Sequence, residues 1–244
     1  MQDVTILGVS GSPRKNANTS RLVEKALEGA ASVIGVKTEF YEMAGKEFHH
    51  CIADFKCYRT GKCVFEDDFQ DFTKRFFKAD GIIWGAPIYH MSIPANMKAA
   101  LDRLGNALIC NYLKRDKGMP RFSKVCGALV VGAARHGGQE TTINFLLNSS
   151  ILNNNFAVAG DTTLGGYIGA AATSFGVPGI EDMDRYDKLM SKDIILKDEK
   201  GVELAVNLGQ RVAEMTRIVK AGISTLEKDL PKEYFYSWEE LGWD

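Results

Sequence analysis

Residues 4–20 read VTILGVSGSPRKNANTS. Val4–Val9 is a short apolar run with no helical period. It passes at once into a polar loop, Ser10–Ser20, and then Leu22, Val23, Ala26, Leu27, Ala30, Ala31 and Ile34 recur at helical spacing. A fully buried strand, a loop and an amphipathic helix follow from that order. Strands of this kind, apolar on both faces, belong to parallel sheets covered by helices on both sides.

Outward from this unit the pattern repeats. Val36–Met43 alternates weakly and reads as a second strand. Phe69, Phe72, Phe76 and Phe77 mark a helix, Gly81–Ala86 a strand, and Pro94–Leu108 a helix with Pro in its first turn. Lys98 and Asp102 are spaced to pair on that helix. Lys124–Gly132 is a strand, Gln139–Asn153 a helix and Phe156–Gly160 a short last strand. Alternating strands and helices joined by right-handed crossovers predict an α/β, doubly wound parallel sheet. Residues 160–180 hold six of the 24 glycines, Gly201–Glu227 reads as a long terminal helix, and Tyr234–Asp244 carries five aromatics. No linker divides the chain, so residues 1–230 are expected to form one domain. Residues 231–244 are expected to be a tail packed on that domain or on a partner subunit.

The 244 residues are 45% hydrophobic and 25% charged, with 30 basic against 31 acidic side chains. That balance excludes disordered and fibrous classes and offers no basic excess for nucleic acid. The apolar stretches 81–94 and 125–134 are too short or too broken to cross a bilayer, and the first residues lack the basic region of a signal peptide. A soluble, cytoplasmic protein is expected. Five cysteines, at 51, 57, 63, 110 and 126, are too few and odd in number for a disulfide scaffold. Cys126 lies in an apolar run and reads as a core residue.

In an open parallel sheet, ligands bind outside the carboxyl ends of the strands. Three loops there are unusual. The first, 10–20, lacks the closing Gly-Lys-Ser/Thr of a Walker A loop and is not GxGxxG. Its hydroxyls, the Asn18 amide and the N–H groups of a helix start suit a terminal phosphate, and Arg14 adds charge. The alternative is a Ser/Asn-rich turn with an N-cap. The second, residues 86–94 (APIYHMSIP), sets aromatic, imidazole and thioether groups between two prolines; it suits a flat aromatic ligand or is a rigid turn. The third, 132–140, is glycine-rich and lets backbone approach a ligand edge, or is a flexible turn.

Together these segments resemble the NADPH-dependent FMN reductases, a flavodoxin-like group, over about residues 1–160. The motifs that carry the resemblance are GSPRKNANTS, GAPIYHMSIPANMKAALDR and GGQET. The resemblance implies a five-stranded sheet of order 2-1-3-4-5 with a C-terminal extension, bound FMN, NAD(P)H as co-substrate, and homodimers or homotetramers. By position, Ser10, Ser12, Arg14, Asn18, Thr19 and Ser20 would hold the phosphate. Pro87, Ile88, Tyr89, His90 and Met91 would line the flavin ring, and Ala134, Gly137, Gly138 and Gln139 would face its polar edge. No protein acid or base is required, because flavin N5 carries the chemistry. The expected function is electron transfer from NAD(P)H through FMN to a small acceptor such as a flavin or quinone.

The segment Cys51-x2-Asp54-x2-Cys57-x5-Cys63 resembles the compact cysteine motif of the iron–sulfur flavoproteins, a branch of the same family. There the position of Asp54 is a fourth cysteine. Four-iron clusters are held by four thiolates, so a stable one is not expected here; a remnant loop is the leading expectation, and a labile or three-iron cluster the alternative. Zinc would also lack a fourth soft ligand unless Asp54, His49 or His50 supplied it. The competing functions are therefore an iron–sulfur flavoprotein fed by a ferredoxin-like donor and a non-enzymatic flavodoxin-like carrier.

Overall fold

A computed structural model describes residues 3–115, 121–134, 136–160 and 166–236, without the side chains of 108–115. Strand β1 (Val4–Ser10) leads into helix α1 (Asn18–Ala31) and β2 (Val36–Glu42). A short helix α2 (Cys57–Thr60) precedes α3 (Phe69–Lys78), β3 (Gly81–Pro87) and α4 (Ala95–Arg115). Then come β4 (Val125–Gly132), α5 (Gln139–Leu152), β5 (Phe156–Ala157) and β6 (Ala170–Thr173). Helices α6 (Arg185–Met190) and α7 (Glu199–Thr225) follow.

All the strand pairings are parallel, and the order is β2-β1-β3-β4-β5, as the resemblance implies. The sheet has six strands rather than five, because its last position is shared. β5 pairs with Val125 and Cys126 only, and β6 pairs with Leu129–Gly132 further along the same edge. The expected strand 156–160 thus ends at Ala157, and part of the glycine-rich stretch completes the sheet. Residues 161–165 of that stretch lie outside the described residues.

Each face of the sheet carries one helix layer. On one side α3, α4 and α5 bury Phe69, Phe72, Phe76, Met97, Leu104, Ile143 and Leu146 against Leu7, Ile82 and Trp84. Phe76 stacks on Trp84 with centroids 5.9 Å apart. On the other side α1 and α7 bury Leu22, Val23, Leu208 and Val212 against Ile6, Ile83 and Leu129. These two helices touch at backbone distance. A Cβ on Gly29 would lie 2.0 Å from Val206 O, and one on Gly209 would lie 1.7 Å from Ala26 O. The C-terminal extension is therefore half of one layer. Of the aromatic tail, residues 237–244 lie outside the described residues. Its beginning packs beside Arg121, whose N–H donates to Glu233 O at 3.0 Å and whose guanidinium sits over Tyr234.

Near the same pole Lys124 is buried, with Nζ donating to Phe77 O and Ala79 O. Burial pushes this ammonium down to about 8 from an ordinary 10.5. Below pH 8 both folded and unfolded chains hold the proton, and burying the charge costs stability. Between pH 8 and 10.5 only the unfolded chain holds it, so stability rises with pH over that window. Relative to Lys124→Met, the wild type should gain on the order of 3 kcal/mol between those pH values, measured by urea unfolding at each. A wild-type–variant difference that stays constant over the window would contradict this.

Candidate active site

The carboxyl ends of β1, β3 and β4 are neighbours, so the loops that follow them meet at one edge. β1 is flanked by β2 and β3, which places the switch in strand order beside the first loop. That loop is knitted into the sheet: Gly11 N donates to Gly85 O at 2.8 Å, and Met43 N donates to Ser10 O at 2.9 Å. Helix α1 then starts without a side-chain cap, because Ala17 stands at the N-cap position. Asn18, Thr19 and Ser20 in its first turn are 8%, 2% and 0% exposed. A helix start leaves its first N–H groups without intrahelical partners, and no described residue bonds those of Thr19 and Ser20. Buried, unpaired N–H groups at a helix start favour an anion.

The hydroxyls and charges of this loop divide into two groups. Ser10 Oγ lies 3.0 Å from Ser20 Oγ, which donates to Glu42 Oε1 at 2.6 Å; the same oxygen accepts from Asn16 N at 2.7 Å. Ser12 Oγ accepts from Arg14 N at 3.1 Å. Arg14 itself donates to Leu189 O and Met190 O at 2.6 and 2.9 Å. The Asn18 amide donates to Ser191 O and accepts from Ile195 N, both at 3.2 Å, and Arg21 pairs with Asp193 at 2.8 Å. The segment 189–195 is thus strapped over the first loop by two residues that sequence placed on a phosphate.

The second loop carries an exposed platform. Tyr89 N donates to Ser92 O at 2.8 Å and Ser92 N to Tyr89 O at 3.0 Å. His90 and Met91, between them, have φ of 48° and 67°. Both central residues are left-handed, as in a type I′ turn, where Asn-Gly is the comfortable pair. Tyr89 and Met91 are 45% and 55% exposed. The third loop meets this turn. A Cβ on Gly138, whose φ is +103°, would stand 2.8 Å from Met91 Cα. Gln139 braces its own loop, accepting from Gly137 N at 2.7 Å and donating to Ala134 O. A cleft of about 1590 Å³ opens from Met91, His136 and Gly138 along β6 toward Lys197, Asp198 and Leu204; it does not reach residues 10–20.

The cysteine segment lies against α4, away from the three loops. Cys51, Cys57, Cys63 and Asp54 line one small cavity with Phe65, Arg103 and Asn106. Its free volume, about 30 Å³, has room for one or two waters. Ala53 and Phe55, on either side of Asp54, both have φ of 53°. Asn106 Nδ2 donates to Cys51 Sγ at 3.4 Å and Asn106 Oδ1 accepts from Tyr58 at 3.1 Å. Arg103 pairs with Asp67 at 2.6 Å with both side chains buried, yet its Nε is buried with no hydrogen-bond partner. Burial alone would raise the Asp67 carboxyl. The hydrogen bonds from Arg103 and from the His49 and Phe69 N–H groups outweigh that and hold it below the usual range. His49 is taken up by Asp67 at 3.1 Å and stacks on Phe65. Among the described residues no three His, Cys, Asp or Glu side chains converge on a single-ion position.

Residues 4–163 match the family model of the NADPH-dependent FMN reductases. The chain belongs to that family. It is 35% identical to an iron–sulfur flavoprotein of Methanocaldococcus jannaschii over 215 residues, 88% of this chain and 98% of the relative. It is also 35% identical to one of Methanosarcina thermophila over 161 residues, 66% of this chain and 80% of the relative. Its fold is shared with an NAD(P)H:quinone oxidoreductase from Methanothermobacter marburgensis, at a TM-score of 0.57 and 14% identity, covering 86% and 99% of the two chains.

In this FMN reductase-family chain, sequence reasoning missed Glu42, the strap 189–195 and Arg103. Glu42 ends a weakly alternating strand, the strap binds through backbone carbonyls, and nothing in the sequence sets Arg103 apart from the other charged residues of its helix. The left-handed turn at His90 and Met91 makes a direct prediction. Such strain costs of order 1–3 kcal/mol per residue, so His90→Asn with Met91→Gly should raise stability by about 1–2 kcal/mol in denaturant unfolding. A less stable double variant would show that these side chains hold the turn rather than strain it.

Proposed function

We propose that the protein is an FMN-dependent oxidoreductase that passes electrons from NAD(P)H through bound FMN to a small acceptor such as a flavin or quinone. The observation that carries this reading is the buried, uncapped start of α1 beside the exposed Tyr89–Met91 platform. The N–H groups of Thr19 and Ser20, with the Thr19 hydroxyl, bind the phosphate, and Ser12, whose hydroxyl donates to Arg14 O, shapes the loop. Arg14 and Asn18 contribute indirectly, by fixing the strap. Pro87, Ile88, Tyr89, His90 and Met91 form the wall for the ring. Ala134, Gly137 and Gly138 offer backbone to its polar edge, and Gln139 stiffens that loop. Bound FMN supplies the hydride acceptor; the chain positions it and shields it.

A homodimer or homotetramer fits this reading. The outer edge of β6 borders the open cleft, and Tyr167 beside it is 68% exposed. Sedimentation velocity of the flavin-loaded protein should show an oligomer, and a stable active monomer would contradict it. A second reading is favoured by the cysteine cavity and by relatives named iron–sulfur flavoproteins: the chain relays electrons from a ferredoxin-like donor through a cluster to FMN. Arg103 lies about 12 Å along α4 from the helix start that adjoins the platform. Rapid NAD(P)H oxidation supports the first reading, and slow oxidation with fast ferredoxin exchange the second.

Thr19→Val keeps shape and removes one hydroxyl. A hydrogen bond to a charged group is worth about 1.5–3 kcal/mol, so FMN affinity should fall roughly 10- to 100-fold. Riboflavin, which lacks the phosphate, should bind both proteins equally in fluorescence titrations. An equal loss for both ligands would remove the first loop as the phosphate site.

A further inference from the structure

The amino end of the sheet, opposite the three loops, holds a separate cavity. It has about 290 Å³ of free volume between the end of α3, the start of β4, α7 and the beginning of the aromatic tail. Pockets for drug-sized ligands begin at about 300 Å³, so this one suits a smaller molecule. Phe77, Phe122, Tyr234 and Tyr236 give it flat aromatic walls.

Two polar groups on these walls are short of partners. Lys124 is 7% exposed, and an ammonium has three N–H donors. Two of them cap the end of α3, at Phe77 O and Ala79 O. The third has no acceptor among the described residues. The Tyr236 hydroxyl is buried and also lacks a partner. A buried donor left so costs about as much as a lost hydrogen bond, and an acceptor held in the cavity would relieve both.

Charge decides what kind of acceptor fits. The lining carries Lys78, Arg121, Lys124 and Lys220 against Asp80 and Glu233. Lys220 and Asp80 pair at 2.6 Å and neutralise each other. Arg121 is exposed, and its guanidinium lies 5.5 Å from the Tyr234 ring centroid rather than on a carboxylate. A modest positive excess in a partly enclosed space attracts an anion. Asp80 and Glu233 disfavour a dianion, and phosphate has no flat face for the aromatic walls.

We propose that this cavity binds a small one-ring aromatic carboxylate, with Lys124 Nζ and the Tyr236 hydroxyl donating to its carboxylate and the Phe77, Phe122 and Tyr234 rings flanking its ring. The site lies at the other pole from the candidate flavin loops and stands whichever electron donor the protein uses. Occupancy is tied to the Lys124 proton, because the neutral amine has only the two N–H groups that the carbonyls take. Facing this ammonium are Asp80, which holds its proton on, and Lys220, which opposes it. Lys78, Arg121, Glu233, Tyr234 and Tyr236 share the cavity, and the nearby Cys126 thiol is pushed up to about 12 by burial and stays neutral. Affinity should therefore be level below pH 8 and fall above it, by up to roughly tenfold per pH unit.

The test is calorimetric titration of the full-length, flavin-loaded protein with benzoate, beside benzamide, which keeps the shape without the charge, and acetate, which keeps the charge without the ring. Wild type should bind one benzoate per chain, with benzamide and acetate each about tenfold weaker or more. Lys124→Met should lose about tenfold or more in benzoate affinity, and with it the fall above pH 8. Tyr236→Phe keeps the aromatic wall; it should bind benzoate about tenfold more weakly and retain that fall. Flavin content and the unfolding midpoint check that each variant is folded, and either variant alone tests the site. A wild type that binds no benzoate overturns the proposal, as does benzoate that displaces the flavin. Equal affinity for benzamide removes the anion, and equal affinity for acetate removes the aromatic class. Folded variants that bind benzoate as tightly as wild type place the binding elsewhere and overturn the site.

Discussion

The first turn of α1 is buried and has no cap, and the carboxyl edge of the sheet is arranged around that fact. β1 lies between two parallel neighbours, so its end cannot escape to the surface. The chain must turn there and begin a helix while still enclosed. Ala17 supplies no oxygen to the helix start. Nearby polar groups are committed elsewhere: Ser10 to Ser20, Ser20 to Glu42, and Arg14 and Asn18 to the strap. The result is a helix start whose first N–H groups have no partner among the described residues. Much of its fixity is supplied by residues distant in sequence, from β2 and from 189–195.

The platform depends on the same edge. His90 and Met91 tolerate left-handed backbone because Tyr89 and Ser92 close the turn and the Gly138 backbone packs against Met91. Helix α4 leaves this turn after Pro94 and presents Arg103 and Asn106 to the cysteine cavity. One rigid element therefore joins the two chemically distinctive regions. Its core side, Met97 and Leu104, is fully buried, which fixes both ends relative to the sheet.

Much of this was legible in the amino-acid order. Continuous apolar runs such as Val4–Val9 and Val125–Gly132 leave no choice but a buried strand, and both strands formed there. The phenylalanine spacing from Phe69 to Phe77 marked α3 because only one helical face satisfies it. β6 was not legible: Ala170–Ala172 has no β-branched or aromatic signal, and its pairing with Leu129–Gly132 is decided by space left beside β4. The helix α4 continues to Arg115, past the expected Leu108, because nothing in that stretch breaks a helix. At the candidate site, hydroxyls, glycines and aromatics in the sequence point to these loops. That Arg14, Asn18 and Gln139 brace the chain was hidden, because they bond backbone carbonyls that carry no residue-type signature.

The proposed function requires that the helix start after β1 and the turn after β3 together hold one flavin with a terminal phosphate. The most direct measurement is the visible spectrum of anaerobically purified protein, followed by chromatography of the released chromophore. The protein should show flavin absorption and release FMN. Predominantly FAD, or a protein that stays colourless after incubation with FMN, would contradict it.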